Sequence, residues 1–389
     1  MVNYLFLLSL FAALFLVFTF ALSLFAFRYV FKPVAMSIIL GASLAAYFMN
    51  SYGIVIDKGI VRNVLETDPN EVRELLTPRL FSYLLFLGLL PCLILSQSRL
   101  DYASPVKRAK STLKLLSSGT LLLLVITLPF SKQYISFARN HRETRHLLNP
   151  TNFLYAVSSH IKSSTGAAKG SIQIGKDAQL RTTWQQRGKK SVVIFVLGEA
   201  ARASNFSLNN YERNTNPRLK GERLINFTNF YSCDTATATS VPCLFSNLGR
   251  ASFSRKKART RENVLDVAEH AGIAVLWRDN NSGCKDVCTR VDSEELAQAE
   301  DPRFCGNGEC RDEILLRDLQ GYIDQADRDV LIVLHQKGSH GPAYYKRHPK
   351  QFQLFQPECQ DEQLGECSRQ EVVNAYDNSL LYTDFFLSR

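Results

Sequence analysis

The sequence predicts an N-terminal α-helical transmembrane bundle followed by a C-terminal α/β domain. Apolar residues make up 46% of the 389 residues, but they are concentrated at the N-terminal end, where residues 2–27 carry no charged side chain. Further along the chain, β-branched runs alternate with amphipathic stretches, which is typical of a buried, mainly parallel sheet. Eight of the nine cysteines lie in this second part, which favours an oxidising compartment. A simple cytosolic enzyme is therefore excluded.

Four apolar segments are long enough to cross a bilayer as helices, which takes about 20 residues each. They cover residues 2–27, 33–56, 80–97 and 115–131. The first segment is not a signal peptide, because no basic stretch precedes it and its apolar run is too long. We therefore predict a transmembrane domain with four spans over residues 1–131.

Positive charge is concentrated in two loops of this domain. The first loop holds Arg28 and Lys32, and residues 98–114 hold five Lys or Arg against Asp101 alone. Because cytoplasmic loops collect Lys and Arg, these loops are expected to face the cytoplasm and everything after Ser131 to lie outside. The net charge of +10 is then partly a topology signal, and it requires no nucleic-acid partner.

Residues 132–190 are predicted to connect the two domains. Basic and aromatic residues alternate over residues 132–165 in a helical pattern. Two alternatives remain open for this stretch: a solvated connecting helix, or an interfacial helix on anionic headgroups. Residues 164–190 are rich in Gly, Ser, Lys and Gln and are predicted to form a linker.

The cysteines of the second part form four close pairs in the sequence: Cys233 with Cys243, Cys284 with Cys288, Cys305 with Cys310, and Cys359 with Cys367. An even number on the predicted outer side favours disulfides. Structural zinc is the alternative, but spacings of nine and seven intervening residues fit it poorly and no Cys-x-x-Cys occurs. The pairing is inferred from proximity alone. Cys92 lies alone in the third span and is expected to be a small core residue.

Three apolar runs predict strands that end in polar residues. They cover residues 192–197, 273–277 and 330–334, with amphipathic stretches at 262–271 and 311–324 between them. The polar residues that follow are Glu199, residues 279–281, and residues 335–340, which include His335 and His340. Because ligands bind beyond the carboxyl ends of parallel strands, these residues are predicted to share one active site.

Residues 233–243 read Cys-Asp-Thr-Ala-Thr-Ala-Thr-Ser-Val-Pro-Cys and place four hydroxyl side chains before a predicted helix start at Val241 and Pro242. Hydroxyls at a helix N-terminus lie at the positive end of its dipole, where a developing alkoxide is stabilised. The alternative is a simple N-cap cluster. The cysteines at both ends of the segment favour a fixed site.

Residues 196–211 read Val-Leu-Gly-Glu-Ala-Ala-Arg-Ala-Ser-Asn-Phe-Ser-Leu-Asn-Asn-Tyr and resemble the lipid A phosphoethanolamine transferases. The resemblance continues through residues 233–246, 277–285 and 335–342 and through Tyr-Asp-Asn at 376–378. Each motif is short, but their order and the matching cysteine pairs make the set highly specific. The resemblance implies a bacterial inner-membrane protein with an alkaline-phosphatase/sulfatase-like domain, residues 191–389, in the periplasm.

The resemblance also implies a reaction: transfer of phosphoethanolamine from phosphatidylethanolamine to lipid A, which modifies lipopolysaccharide and gives resistance to polymyxin and other cationic antimicrobial peptides. Thr237 matches the nucleophile. Glu199 matches a ligand of a zinc ion that would hold the Thr237 oxygen as an alkoxide. The residues that match phosphoryl-binding positions are Asn281, Lys285 and His340.

Two further assignments are less direct. Asn63, Thr67 and Glu71 are spaced to share one helix face, and in the family this face borders the lipid headgroup pocket. A solvated loop helix is an equal alternative for them. For His335 we expect a purely structural role, as a satisfied histidine at a strand end.

The chain departs from the family pattern near both ends. No Asp-His pair follows Tyr-Asp-Asn to supply the remaining zinc ligands, and Arg389 falls within a predicted helix whose apolar surface we expect to be uncovered. Four spans are predicted where the family usually has five. We therefore expect a truncated product with poor zinc binding and weak or no activity. The alternatives are a related phosphoglycerol or lipopolysaccharide-core phosphoethanolamine transferase, or a non-enzymatic membrane remnant.

Overall fold

The computed structural model describes residues 4–57, 60–61, 64, 72, 75–102, 104–140, 144, 147–164, 172–306 and 308–389. The chain divides into a helical unit, Met1–Arg62 with Leu76–Ser164, and an α/β unit, Asn63–Leu75 with Thr165–Arg389. The predicted headgroup residues Asn63, Thr67 and Glu71 lie outside the described residues, so their assignment stays a prediction.

The helical unit contains the four predicted spans. Its helices are α1 (Tyr4–Ser23), α2 (Phe31–Tyr52), α3 (Pro78–Tyr83), a π-helical stretch (Leu84–Leu89), α4 (Leu90–Gln97), α5 (Pro105–Thr127), a 3₁₀ turn (Leu128–Phe130), α6 (Ser131–Asn140) and α7 (Thr151–Ser164). Within the described residues, four helices are long and apolar enough to cross a membrane: Tyr4–Ser23, Phe31–Tyr52, Pro78–Gln97 and Pro105–Ile135. The fourth begins well before residue 115, because Pro105 suits a first helical turn and the Lys and Arg that follow are good helix formers.

Small side chains allow close packing between the helices of this unit. A Cβ added to Gly88 would lie 2.9 Å from Ser43 Oγ, so these two helices approach closely. Tyr47 is fully buried and its hydroxyl is 2.8 Å from Thr77 Oγ1. Cys92 is buried as a free thiol, in agreement with the predicted core position.

The α/β unit is built on a four-stranded parallel sheet. Its strands are β1 (Val192–Leu197), β2 (Ala274–Asp279), β3 (Asp292–Glu295) and β6 (Val330–His335), and a small antiparallel hairpin is formed by β4 (Cys305–Gly306) and β5 (Glu309–Cys310). The strand order is β1-β6-β2-β3. This confirms the predicted parallel sheet and its three apolar strands. Strand β3 was not predicted, because its residues Asp-Ser-Glu-Glu carry no apolar pattern.

Helices and loops cover both faces of the central strands. The helices of this unit are α8 (Thr182–Gln185), α9 (Thr237–Phe245), α10 (Gly249–Ser252), α11 (Arg255–Ala258), α12 (Val264–His270), α13 (Leu319–Gln325) and α14 (Arg369–Leu387), and its 3₁₀ turns are Ala203–Asn205, Ser207–Asn209, Leu219–Gly221, Asp312–Leu316, Tyr344–Lys346, Lys350–Phe352 and Leu364–Glu366. Trp277 packs with residues of α9 and α12 on one face, and Ile332 packs with residues of α13 and α14 on the other. The side chains of a strand alternate between faces, so β2 and β6 contribute to both cores.

Strand β1 differs from the fully buried strand that its sequence predicts. Val192, Val193, Ile194 and Phe195 are each at least 38% exposed. The reason is that β1 lies at the edge of the described sheet and pairs only with β6 there.

The expectation that α14 exposes an apolar surface is wrong. Every residue from Asn374 to Phe386 is buried, including Asp377 and Asp384. These polar residues accept hydrogen bonds from the loop that follows β1: Asp377 from Tyr211 and Arg213, and Asp384 from backbone N–H groups. From Asn374 to Phe386 the helix is therefore covered on all sides, by polar contacts as well as by apolar packing. A capping box between Ser368 and Glu371 fixes its start.

Four disulfides join Cys233 to Cys243, Cys284 to Cys288, Cys305 to Cys310 and Cys359 to Cys367, which are the neighbours paired in the sequence. The stretch predicted as a linker is packed against the α/β unit from Ile172 onward. Ile172 bridges to Arg261, and Trp184 Nε1 donates to Asp329. Such contacts hold this stretch on the domain.

Candidate active site

The site begins where three parallel strands end in register. Leu197 pairs with His335, and His335 pairs with Asp279, so the last residues of β1, β6 and β2 form one row. Gly198 and Glu199 follow β1, residues 336–340 follow β6, and Asn280 and Asn281 follow β2. This row is the reason that residues from three distant parts of the sequence meet at one edge of the sheet.

Thr237 is the first residue of α9. The helix therefore starts four positions before the predicted start at Val241 and Pro242, with Pro242 inside it. Thr237 Oγ1 donates a hydrogen bond to Glu199 Oε2 over 2.9 Å. Both side chains are half-buried. The hydroxyl thus lies at the positive end of a helix dipole and points at a carboxylate, which suits a nucleophile that must lose its proton.

Asn281 joins this pair. Its Nδ2 donates to Glu199 Oε2 over 3.3 Å and to the carbonyl oxygen of Gln336 over 2.8 Å. Asn281 is buried, and its bond to Gln336 is the shorter and the more buried of the two. The amide therefore fixes the Glu199 carboxylate relative to the loop after β6.

Lys285 and His340 lie on the same two loops as Asn281 and Gln336, but their described contacts are local. Lys285 Nζ donates to the carbonyl oxygen and the hydroxyl of Ser282. The backbone N–H of His340 donates to the carbonyl of Lys337, and its own carbonyl accepts from Arg347 Nε. The described contacts thus bring Thr237, Glu199 and Asn281 together, and the roles of Lys285 and His340 stay predictions.

His335 and Asp279 form a fully buried pair with Nδ1 and Oδ2 2.8 Å apart. Burial disfavours the charged form of Asp279, but hydrogen bonds from His335, Trp277 and a backbone N–H outweigh it and lower its pKa. His335 Nε2 is buried without a hydrogen-bond partner among the described residues. The contact at Nδ1 agrees with the expected strand-end histidine, and the purely structural role of His335 stays a prediction.

Tyr376, from the Tyr-Asp-Asn motif, holds the segment that carries Glu199. Its hydroxyl donates to the carbonyl oxygen of Ala200 over 2.7 Å and accepts from the backbone N–H of Arg202. Ala200 has a φ of 53°, in the left-handed region that a non-glycine residue adopts only when its surroundings enforce it. Burial raises the pKa of Tyr376 to about 12, so its hydroxyl stays protonated as a donor.

The described residues do not complete a zinc site. Glu199 and Thr237 can offer two oxygen ligands, and the group that Asn281 turns toward them is an N–H donor, which cannot bind a cation. A catalytic zinc normally takes three protein ligands. No group of three or more His, Cys, Asp or Glu side chains in the described part of the chain is arranged to hold a metal ion.

Membrane-length helices followed by this parallel α/β domain define an integral membrane protein with a sulfatase-like domain. Residues 14–165 match the family model described as phosphoethanolamine transferase EptA/EptB, and residues 191–389 match the sulfatase family model. The phosphoethanolamine transferase EptA of Escherichia coli K12 is 40% identical over 391 residues, which covers 100% of this chain and 71% of that protein. The chain therefore belongs to the EptA family of phosphoethanolamine transferases.

Two further comparisons agree. The phosphatidylethanolamine transferase Mcr-1 of Escherichia coli is 38% identical over 375 residues, covering 94% of this chain and 69% of that protein. The solved structure of the integral membrane lipooligosaccharide phosphoethanolamine transferase A from Neisseria meningitidis superimposes with a TM-score of 0.92 at 34% identity, covering 98% of this chain and 71% of that one.

Two residues that organise the site are not among the predicted site residues. One is Asp279, which follows a predicted strand and was seen only as a polar residue there. The other is Asp312, whose carboxylate accepts hydrogen bonds from the loop after β6. It lies at the start of a 3₁₀ turn in a predicted amphipathic stretch. No local sequence signal separates Asp312 from the neighbouring acidic residues, because its role depends on contacts across the fold.

Proposed function

We propose that this chain transfers phosphoethanolamine from phosphatidylethanolamine to lipid A through a covalent intermediate on Thr237. The observation that carries the proposal is the hydrogen bond from Thr237 to Glu199 at the first turn of α9. Membership of the EptA family supports the transferred group. The donor is supported by the name of the relative Mcr-1, and the acceptor class by the name of the solved relative from Neisseria meningitidis.

The first half-reaction follows from the geometry at Thr237. Its oxygen attacks the phosphorus of phosphatidylethanolamine, and its proton passes to Glu199 Oε2, which already accepts the hydrogen bond. A new bond forms between Oγ1 and phosphorus, and the bond from phosphorus to the diacylglycerol oxygen breaks. That oxygen takes up the proton, so diacylglycerol leaves neutral. The positive end of the α9 dipole stabilises negative charge at the transferring group.

The second half-reaction returns Thr237 to its free form. A phosphate oxygen of lipid A, reacting as the monoanion, attacks the phosphorus of the intermediate, a diphosphate forms, and the bond from phosphorus to Oγ1 breaks. The proton given up by the lipid A phosphate passes through Glu199 Oε2 to Oγ1. Lys285, His340 and Asn281 are proposed to hold the phosphoryl oxygens, because a charge-dispersed transition state needs a cation and N–H donors. The headgroup role of Asn63, Thr67 and Glu71 is kept as part of the proposal.

We also propose that turnover is slow. Glu199 and Thr237 offer only two of the ligands that would hold a zinc ion, and a threonine hydroxyl without a metal is a weak nucleophile. The setting proposed for the reaction is the bacterial inner membrane, with the α/β unit in the periplasm. The four disulfides agree with an oxidising compartment.

The test is lipid A mass spectrometry in a host whose lipid A carries no phosphoethanolamine. The wild-type chain, Thr237→Ser and Thr237→Ala are expressed at matched membrane levels. We expect a small phosphoethanolamine-modified fraction from wild type, less from Thr237→Ser, and none from Thr237→Ala. Peptide mass spectrometry should find phosphoethanolamine on the residue at position 237 in the wild-type and Thr237→Ser proteins, and none there in Thr237→Ala.

Three outcomes would contradict the proposal. An equal modified fraction of lipid A with wild type and with Thr237→Ala would show that Thr237 takes no part in the reaction. Modification of core sugars, or a phosphoglycerol product, would change the substrate class. The absence of any product or adduct would favour a remnant without transferase activity.

A further inference from the structure

Asp312 is a buried carboxylate with an unusually complete set of donors. Its Oδ1 accepts from the backbone N–H of Lys337 over 2.7 Å and from Asn280 Nδ2 over 2.8 Å. Its Oδ2 accepts from the backbone N–H of Gly338 over 3.0 Å and from Gln336 Nε2 over 3.3 Å. Only 3% of the residue is exposed. Burial raises the pKa of Asp312, and these donors oppose that rise.

The four donors come from the two segments that leave the sheet beside the active site. Asn280 follows β2, and residues 336–338 follow β6. Asp312 itself follows the hairpin closed by the Cys305–Cys310 disulfide, and Asn280 Nδ2 also donates to the carbonyl oxygen of Cys310. The carboxylate therefore connects the segments after β2 and β6 to the disulfide-linked hairpin by hydrogen bonds.

The loop held by Asp312 lies directly against Glu199. The backbone N–H of Ser339 donates to the carbonyl oxygen of Glu199 over 3.0 Å. Gly338 has a φ of 55°, and a Cβ built on it would lie 2.8 Å from that carbonyl oxygen. The loop and the Glu199 backbone are thus in contact with no room between them.

A second connection runs through the neighbouring asparagine. Asn280 is held by Asp312, and the next residue, Asn281, donates to both Glu199 Oε2 and the carbonyl oxygen of Gln336. A shift of either strand end would move the carboxylate that accepts the Thr237 hydrogen bond.

We propose that Asp312 is a positioning residue for the transferase site: its carboxylate sets the loop after β6 and, through that loop and Asn281, the orientation of Glu199 toward Thr237. The kinetic part of this inference rests on the proposed function. The four donors come from the segments after β2 and β6, so the carboxylate fixes the position of one segment relative to the other.

Asp312→Asn tests the role, because it keeps the shape and replaces one acceptor oxygen with an N–H donor. In either orientation its NH₂ group faces donors that the carboxylate accepted. The matched control is Glu313→Gln on the same 3₁₀ turn, whose carboxylate accepts only from the Tyr382 hydroxyl among the described contacts. Both variants are studied as the full chain in detergent micelles.

The first measurement is amide hydrogen exchange by mass spectrometry, which requires no catalytic activity. In Asp312→Asn we expect residues 336–339 to exchange on the order of tenfold faster than in wild type, since a hydrogen bond to a charged group is lost. Exchange in Val264–His270 should be unchanged, and Glu313→Gln should match wild type throughout. If Asp312→Asn does not fold, Asn280→Ala replaces it. We then expect amide exchange at residues 336–339 to be faster than in wild type, by a smaller factor.

The second measurement is the rate of phosphoethanolamine transfer. For a positioning role, kcat falls on the order of tenfold in Asp312→Asn while KM is unchanged. Unchanged exchange at residues 336–339, equal acceleration throughout the α/β unit, or faster exchange with unchanged kcat would each overturn the inference. If wild type makes no product, the proposed function fails, and the exchange result alone decides the role of Asp312.

Discussion

The Thr237 hydroxyl donates to Glu199 Oε2 over 2.9 Å, although the two residues are 38 positions apart in the sequence. The contact joins the first turn of α9 to the segment that follows β1. It combines three properties in one place: a hydroxyl, a proton acceptor and the positive end of a helix dipole. The reactivity proposed for this chain depends on that combination.

Zinc content is the most direct measure of how complete the site is. Because Glu199 and Thr237 supply only two ligands, we expect the purified chain, dialysed without chelator, to hold less than one equivalent of zinc by elemental analysis. Any bound zinc should fall further in Glu199→Gln. A full equivalent that Glu199→Gln removes would contradict this prediction and would require ligands outside the described residues.

Gly338→Ala should damage both stability and the site. A residue with a Cβ at a φ of 55° costs about 1–2 kcal/mol, and the new methyl group would meet the Glu199 backbone. We expect a lower free energy of unfolding by urea denaturation and loss of most transfer. Gly221→Ala is the control, because nothing lies within 4 Å of its added Cβ. Equal behaviour of the two variants would argue against close contact at Gly338.

The Cys233–Cys243 disulfide should matter for chemistry as well as for stability, because it brackets Thr237. Replacing both cysteines by Ser is expected to lower the free energy of unfolding by roughly 2–4 kcal/mol and to lower transfer activity under native conditions. The control removes Cys359 and Cys367, which close a loop of similar length at the start of α14. It should lose comparable stability but little activity. The same activity loss in both would assign the Cys233–Cys243 bond a purely structural role.

The His335–Asp279 pair predicts an acid-dependent loss of stability. The folded pKa of Asp279 is lowered, so its stabilising contribution is present above the ordinary aspartate value of 3.8 and is lost as the pH falls through the folded value below that. The difference in free energy of unfolding between wild type and Asp279→Asn should therefore be constant near pH 6 and shrink below 3.8. A difference that does not change with pH would show that the folded pKa is not depressed.

Much of the fold could be predicted from local patterns. The length of the apolar segments predicted four membrane-length helices, and β-branched runs predicted β1, β2 and β6. The missed strand β3 is polar, and its place beside β2 is set by pairing rather than by composition. The start of α9 was misplaced at Val241 and Pro242, because proline often begins a helix and its presence inside α9 has no local signal.

The burial of α14 shows a second feature that could not be predicted from the sequence. Its apolar residues suggested an uncovered surface, but burial depends on which other segments reach it. Asp377 and Asp384 bind residues more than 160 positions away in the sequence. Such long-range partners cannot be predicted from helical periodicity.

The sequence by itself determined the chemical inventory of this protein: the membrane spans, the apolar strands, the paired cysteines, and Thr237 and Glu199 as candidate site residues. The tertiary structure decided which of these groups meet. β6 lies between β1 and β2, so Leu197, His335 and Asp279 end in one row, and the loops beyond them converge. The physical reason is that strand order and register follow from packing across the whole domain, whereas hydropathy and strand propensity act over a few neighbouring residues.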